Sequence, residues 1–250
     1  MQDILKVIRF DFLTMRPVSM GESVFVVLFC LMLSILLSPL IAVMITFCVF
    51  GFIYPLQAIA DKNGFDRLYG ALPVDRRNVT RARFIYIFTL FFIFEAIELF
   101  IVLVSVSVKL NKHIFDIGSS AQRSRQLLTY MQTIYDSPVP VYVTVFIVTA
   151  LCCTAAAYME MAGQLHGREN LFRSVIIGIA ALAAILGGVY LLSVNTAIIP
   201  AFSAEEAMSL IIGMTVRDAI VLGAAANAAM LTVCLVFGEI TARIVSERKI

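Results

Sequence analysis

The sequence predicts an all-α integral membrane protein with six transmembrane helices. Three observations carry that fold class. The 250-residue chain is 61% hydrophobic and only 14% charged, and its mean hydropathy of +0.95 lies far above the soluble range. Its apolar runs reach the roughly 20 residues that a helix needs to cross the hydrocarbon core. Charged residues gather in polar segments between those runs, as they do in loops between spans. The chain, 1–250, reads as a single transmembrane domain.

The N-terminal segment 1–18, beginning MQDILKVIRFDFLTMRP, mixes charges with apolar residues and lacks the continuous apolar core of a cleavable signal peptide. Ile4, Leu5, Ile8, Phe12 and Met15 fall on one helical face, with Asp3, Lys6, Arg9 and Arg16 on or near the opposite one. This is the pattern of an amphipathic helix lying at the membrane interface. An ordinary first helix packed on the protein has the same pattern. Ser23–Ala60 then contains no charged residue. As one helix rising about 1.5 Å per residue it would be nearly twice the bilayer thickness. Ser38-Pro39 sits at its middle, where proline breaks the hydrogen-bond ladder. The run therefore divides into a hairpin of two spans, Glu22–Leu37 and Leu40–Ala60.

The segment 61–83, DKNGFDRLYGALPVDRRNVTRAR, gathers Lys62, Arg67, Arg76, Arg77, Arg81 and Arg83 in one loop. Such a cluster marks the cytoplasmic side, because Lys and Arg near span ends resist translocation. Asn63 can cap a short helix through Phe65, Asp66, Arg67, Leu68 and Tyr69. Beyond the break at Pro73, Asp75 can cap a second helix that runs into the third span, Phe84–Val108. A short helix in such a loop suits gripping by a soluble partner. A charged anchor that only fixes orientation is the other reading.

The outer segment 109–138 follows. Ser119 and Ser120 open a helix there whose Leu127, Leu128, Met131, Ile134 and Tyr135 form an apolar stripe, which must cover the bundle, a second copy or a substrate. The fourth span is Val139–Ala162 and the fifth Ser174–Val194. In the outer segment 195–218, Ser203 and Glu206 form a capping box for a short helix ending near Gly213, too short to span and read as re-entrant or interfacial. The last span is Ala219–Ala242.

Charge fixes the orientation. With the N-terminus inside, Lys6, Arg9, Arg16, the basic residues of 61–83, Arg168, Arg173, Arg243, Arg248 and Lys249 face the cytoplasm. Only Lys109, Lys112, Arg123, Arg125 and Arg217 lie outside. The positive-inside rule thus places both termini in the cytoplasm of a multi-pass protein. The net charge of +2 reflects this anchoring, and no basic–aromatic pattern points to nucleic acid.

Glu95 and Glu98 stand one turn apart inside the third span. An ionisable residue in a bilayer is costly and usually faces a cavity, a partner or a pathway, so the pair is the candidate substrate path. Neutralisation by a hydrogen bond within the span is the alternative. Glu160 and Glu239, near the cytoplasmic ends of their spans, read as interface contacts. Gly187-Gly188 and the run Gly223–Ala229 offer small faces for close helix packing, and Asn227 can hydrogen-bond across such a contact. Cys30, Cys48, Cys152, Cys153 and Cys234 all lie in apolar spans, and His113 and His166 are in different loops, so neither a metal site nor a disulfide framework is expected. With no intramembrane His, metal set or activated nucleophile, no catalytic residue is assigned and the chain reads as a non-enzyme.

The loop NGFDRLYGALPVDRRNVTRARF resembles the segment between the second and third spans of type-2 permeases of ATP-binding-cassette (ABC-2-like) exporters, in particular their short bacterial branch. The six-span layout, the N-terminal interfacial helix and the short helix before the last span extend the likeness along the chain. The long segment 109–138 departs from a minimal member and weakens any transfer of substrate. The resemblance implies that the loop carries a coupling helix docking a cytosolic ABC ATPase, with Asn63, Phe65, Asp66, Arg67, Leu68 and Tyr69 as docking residues. It further implies a homodimer of permeases in a bacterial cell membrane, exporting an amphipathic substrate such as a peptide. The chain holds no GxxxxGK[ST] phosphate loop, so ATP and Mg would be bound by the partner ATPase and no cofactor is expected in this chain. A non-transporting sensor or scaffold that recruits a cytosolic partner, and a secondary transporter driven through Glu95 and Glu98, are the competing classes.

Overall fold

A computed structural model of the chain describes residues 2–36, 38–53, 74–108, 138–166 and 213–247. The expected coupling residues Asn63–Tyr69, most of the outer segments 109–138 and 195–218, and the fifth span Ser174–Val194 lie outside them. The described residues hold helices and no strand. Four long helices, α1 (Gln2–Leu36), α2 (Arg76–Val108), α3 (Val139–His166) and α4 (Val216–Glu247), are joined by a 3₁₀ segment, Pro39–Val49. Of these, α2, α3 and α4 are long and apolar enough to cross a membrane, while Ser23–Leu36 and Pro39–Ile53 are shorter apolar helices. The molecule is therefore a membrane protein of all-helical build.

The N-terminal segment and the first span form one uninterrupted helix instead of two. The reason lies in its first turns. Val7 is buried against Val79 and Ala82 of α2, and the Phe12 ring meets the Tyr86 ring edge-on at 4.8 Å. Ile4, Val7, Ile8 and Phe12 of the amphipathic stretch thus pack toward α2, while Leu5 stays exposed. The helix ends at Leu36, and Ser38, with extended backbone, accepts from the Leu40 N–H at 3.3 Å to start the next element at Pro39.

The second element is a 3₁₀ helix over Pro39–Val49 that continues as α-helix through Ile53, the last residue described there. Burial follows the three-residue repeat. Val43, Thr46, Val49 and Phe52 form one buried column and Pro39, Ala42 and Ile45 its neighbour, whereas Met44 and Phe47 face outward.

At the start of α2, the Asp75 carboxylate accepts from the Arg77 N–H at 3.3 Å while its carbonyl accepts from Asn78 and Val79, the expected cap. A reciprocal capping box opens α4. The Thr215 N–H and hydroxyl donate to the Asp218 carboxylate at 2.9 and 2.7 Å, and the Asp218 N–H donates back to the Thr215 hydroxyl at 3.3 Å. Thr215→Ala is expected to cost about 1 kcal/mol and to fray the first turn of α4, seen as faster amide exchange at Val216–Ala219 than in the parent.

Contacts set the directions of the helices. Val7 meets Val79 and Ser34 meets Ser105, so α1 and α2 run parallel. Thr46 meets Glu98 and Phe50 meets Phe91, so the 3₁₀ segment returns antiparallel to α2. Glu160 pairs with Arg83 and Thr149 reaches Glu98, so α3 is antiparallel to α2. Phe146 meets Gly223 and Cys153 meets Cys234, so α3 and α4 run parallel. The outward faces are apolar. Phe25 and Phe29 stack at 6.2 Å on α1, and Phe92, Phe100 and Leu103 on α2 and Ile220, Val221 and Leu235 on α4 are exposed.

Candidate functional site

α2 is the hub of the bundle, and its buried face carries the polar groups. Arg83, Ile87, Leu90, Phe94, Glu98, Ile101 and Ser105 recur at three- and four-residue steps on one side. Glu95 lies about 16 Å along the helix from Phe84, near the middle of a core roughly 30 Å thick. Both carboxylates are buried inside a single chain, Glu95 at 3% and Glu98 at 0% exposure.

Glu98 is held from two sides. Thr46 of the 3₁₀ segment donates to its Oε1 at 2.5 Å, and Thr149 of α3 donates to its Oε2 at a long 3.5 Å. The two hydroxyls are 3.4 Å apart. These threonines depart from the pattern of five other threonines in the long helices. Thr89, Thr144, Thr154, Thr232 and Thr241 each donate to the carbonyl four residues back, which satisfies the hydroxyl within its own helix. Thr46 and Thr149 turn to Glu98 instead.

Glu95 faces α4. Asn227 Nδ2 donates to Glu95 Oε1 at 2.7 Å and to the Gly223 carbonyl at 3.0 Å. The second of these bonds fixes the amide orientation, since a flipped amide would set its oxygen against that carbonyl. Glu95 Oε2 and Asn227 Oδ1 are buried without a hydrogen-bond partner. Two turns beyond the pair, the Ser105 hydroxyl donates to the Ser34 carbonyl at 2.6 Å, satisfying a carbonyl in the last turn of α1. The seam thus links α2 by side-chain hydrogen bonds to every other described helix.

Glycine makes the α2–α4–α3 approach close. A Cβ on Gly223 would stand 2.5–2.7 Å from the Phe146 ring, and one on Gly238 would stand 3.3 Å from Phe84 Cβ. Gly223→Ala is expected to cost about 1–3 kcal/mol through overpacking. Its thermal midpoint in detergent should fall, and Phe146→Leu in the same chain should recover part of the loss. An unchanged midpoint for Gly223→Ala would show that the ring moves aside freely.

A second polar layer lies toward the end of the bundle where α2 begins. Arg81 clasps Glu239 of α4 at 2.6 Å, and Arg243 reaches the same carboxylate at 2.8 Å, in a half-exposed group. Arg83 pairs with Glu160 of α3 at 3.1 Å with both side chains almost wholly buried. Gln164 donates to Glu160 Oε1 at 2.6 Å. No family model, curated protein or solved structure matches the chain. Its reading therefore rests on the residues themselves.

The structure brings Glu95 and Glu98 together with Thr46, Thr149 and Asn227. The predicted docking residues Asn63, Phe65, Asp66, Arg67, Leu68 and Tyr69 lie outside the described residues. Sequence reading passed over Thr46 and Thr149, which look like filler in apolar runs. It also left Arg83 as an orienting charge.

Proposed function

We propose that this chain is the transmembrane subunit of an ATP-driven ABC exporter. A separate cytosolic ATPase would dock on the loop Asn63–Leu72 and supply the ATP and Mg site. The observation that carries this reading is the loop sequence together with the element it feeds. The loop runs through Asp75 into α2, the helix that gathers both polar layers of the bundle. A push on the loop therefore reaches all the other described helices through one rod.

The helix directions support six spans. α3 and α4 run parallel, as they would with one further crossing between them, for which Ser174–Val194 is an apolar run of sufficient length. Lys6, Arg9, Arg76, Arg77, Arg81, Arg83 and Arg243 belong to one end of the bundle and Arg217 to the other, which supports cytoplasmic termini in a bacterial cell membrane. Six spans without an internal repeat are too few to surround a peptide-sized path. The working unit is accordingly a homodimer, and an amphipathic peptide is the substrate class.

Purifying the chain from its native membrane should bring down a Walker-motif ATPase and a second copy of the chain. Recovery of the chain with a cytosolic protein of another class would favour a sensor or scaffold. The buried carboxylates specifically favour one further reading, a secondary transporter. In proteoliposomes, transport driven by a proton gradient without ATP would establish that reading and exclude the exporter.

A further inference from the structure

The ion pairs at the start of α2 are unequal, and the inequality has a mechanical meaning. Arg81 and Arg83, two residues apart, leave opposite sides of the helix, one toward α4 and the other toward α3. Side-chain exposures are 34% and 35% for Arg81 and Glu239, against 5% and 3% for Arg83 and Glu160. The exposed pair can exchange its partner for water with little effect. The buried pair cannot, because separating charges in apolar surroundings leaves each uncompensated. Gln164 further holds the Glu160 carboxylate from the next turn of α3. Arg83 lies about 12 Å along α2 from the Asp75 cap. Together with Ile53, Tyr86, Ile87 and Glu160 it lines a small, roughly water-sized cavity.

We propose that the Arg83–Glu160 pair is the joint that makes α3 follow α2 when α2 is displaced at its capped end, so that both are positioning residues for coupling. This rests on the reading of the preceding loop as an ATPase dock. A displaced α2 either carries the end of α3 with it or breaks a buried ion pair. The half-exposed Arg81–Glu239–Arg243 group carries no such buried penalty between α2 and α4.

The test uses the complex of this chain with its co-purified ATPase in proteoliposomes. An environment-sensitive fluorophore is placed on Ala155→Cys, an exposed position of α3. A non-hydrolysable ATP analogue should change the signal in the otherwise unaltered chain. Arg83→Gln and Glu160→Gln should still bind the ATPase while the nucleotide dependence of the signal is lost. The exchanged pair Arg83→Glu with Glu160→Arg should restore it, which a merely structural role in folding would not require. Full responses in both single variants overturn the joint and leave the exporter reading standing. No response in the unaltered chain overturns both. If the glutamine variants fail to fold, Arg83→Lys keeps the charge without the planar fork and should give a reduced response; a full one overturns the joint.

Discussion

Replacing Glu98 by alanine should destabilise the bundle by about 3 kcal/mol, a sum of cavity and lost hydrogen-bond costs. The side chain is fully buried and is the shared acceptor for Thr46 and Thr149. Its removal opens a void at the junction of the 3₁₀ segment, α2 and α3. It also leaves two buried hydroxyls with only each other, at 3.4 Å. Glu98→Gln keeps the volume and an acceptor oxygen for Thr46, so it should cost about 1 kcal/mol or less. Thermal midpoints of the two variants in one detergent measure the difference. Function separates a structural role from a path. With Glu95→Gln and Glu98→Gln combined, assembly should persist while transport or substrate-stimulated ATPase activity changes. Normal export by that double variant would reduce both carboxylates to hydrogen-bonding residues of the core.

The parts of the fold legible in the sequence are those written as long uninterrupted patterns. α2, α3 and α4 follow from apolar runs, the break after α1 follows from the proline at Ser38-Pro39, and the start of α2 follows from the cap chemistry of Asp75. The continuity of α1 was not legible. Pro17 and the charged stretch before it argue for a break, whereas the buried contacts of Val7 and Phe12 with α2 hold the two parts in one helix. Nor does any residue announce the 3₁₀ segment. Its period-three burial emerges only once α2 stands beside it. The Thr215–Asp218 box was present as a spacing, but the apolar start at Ala219 drew the boundary past it.

The same contrast holds at the site. Two glutamates in a span stand out by their cost in lipid, and Asn227 was recognisable as a cross-helix donor. Their pairing was not, because it depends on the alignment of antiparallel helices far apart in the chain. Arg83 shows the limit most clearly. In a basic loop it is one orienting charge among several, and only the depth at which α3 meets α2 turns it into half of a buried ion pair.

Replacing Phe65 and Leu68 by alanine should have the largest functional effect of any change in the loop 61–83. On the short helix proposed from Asn63, Phe65, Leu68 and Tyr69 would share an apolar side, with Asp66 and Arg67 at its rim. Interface energy is concentrated in a few such buried anchors, and each truncation can reach about 2 kcal/mol. That corresponds to roughly thirtyfold in affinity per anchor. The ATPase should therefore dissociate during purification of the double variant, or hydrolyse ATP without transport. Insertion should be normal, because Lys62, Arg67, Arg76, Arg77, Arg81 and Arg83 all remain to orient the loop. Thermal stability should also be unchanged, since Asp75 still caps α2 and the Arg83–Glu160 and Glu98–Thr46 contacts lie beyond the substitutions. That separates the result from the Glu98→Ala outcome, in which stability falls first. A double-alanine chain that bound its ATPase and exported at full rate would make the loop a topological anchor only. The exporter reading would then lose its main support in the sequence.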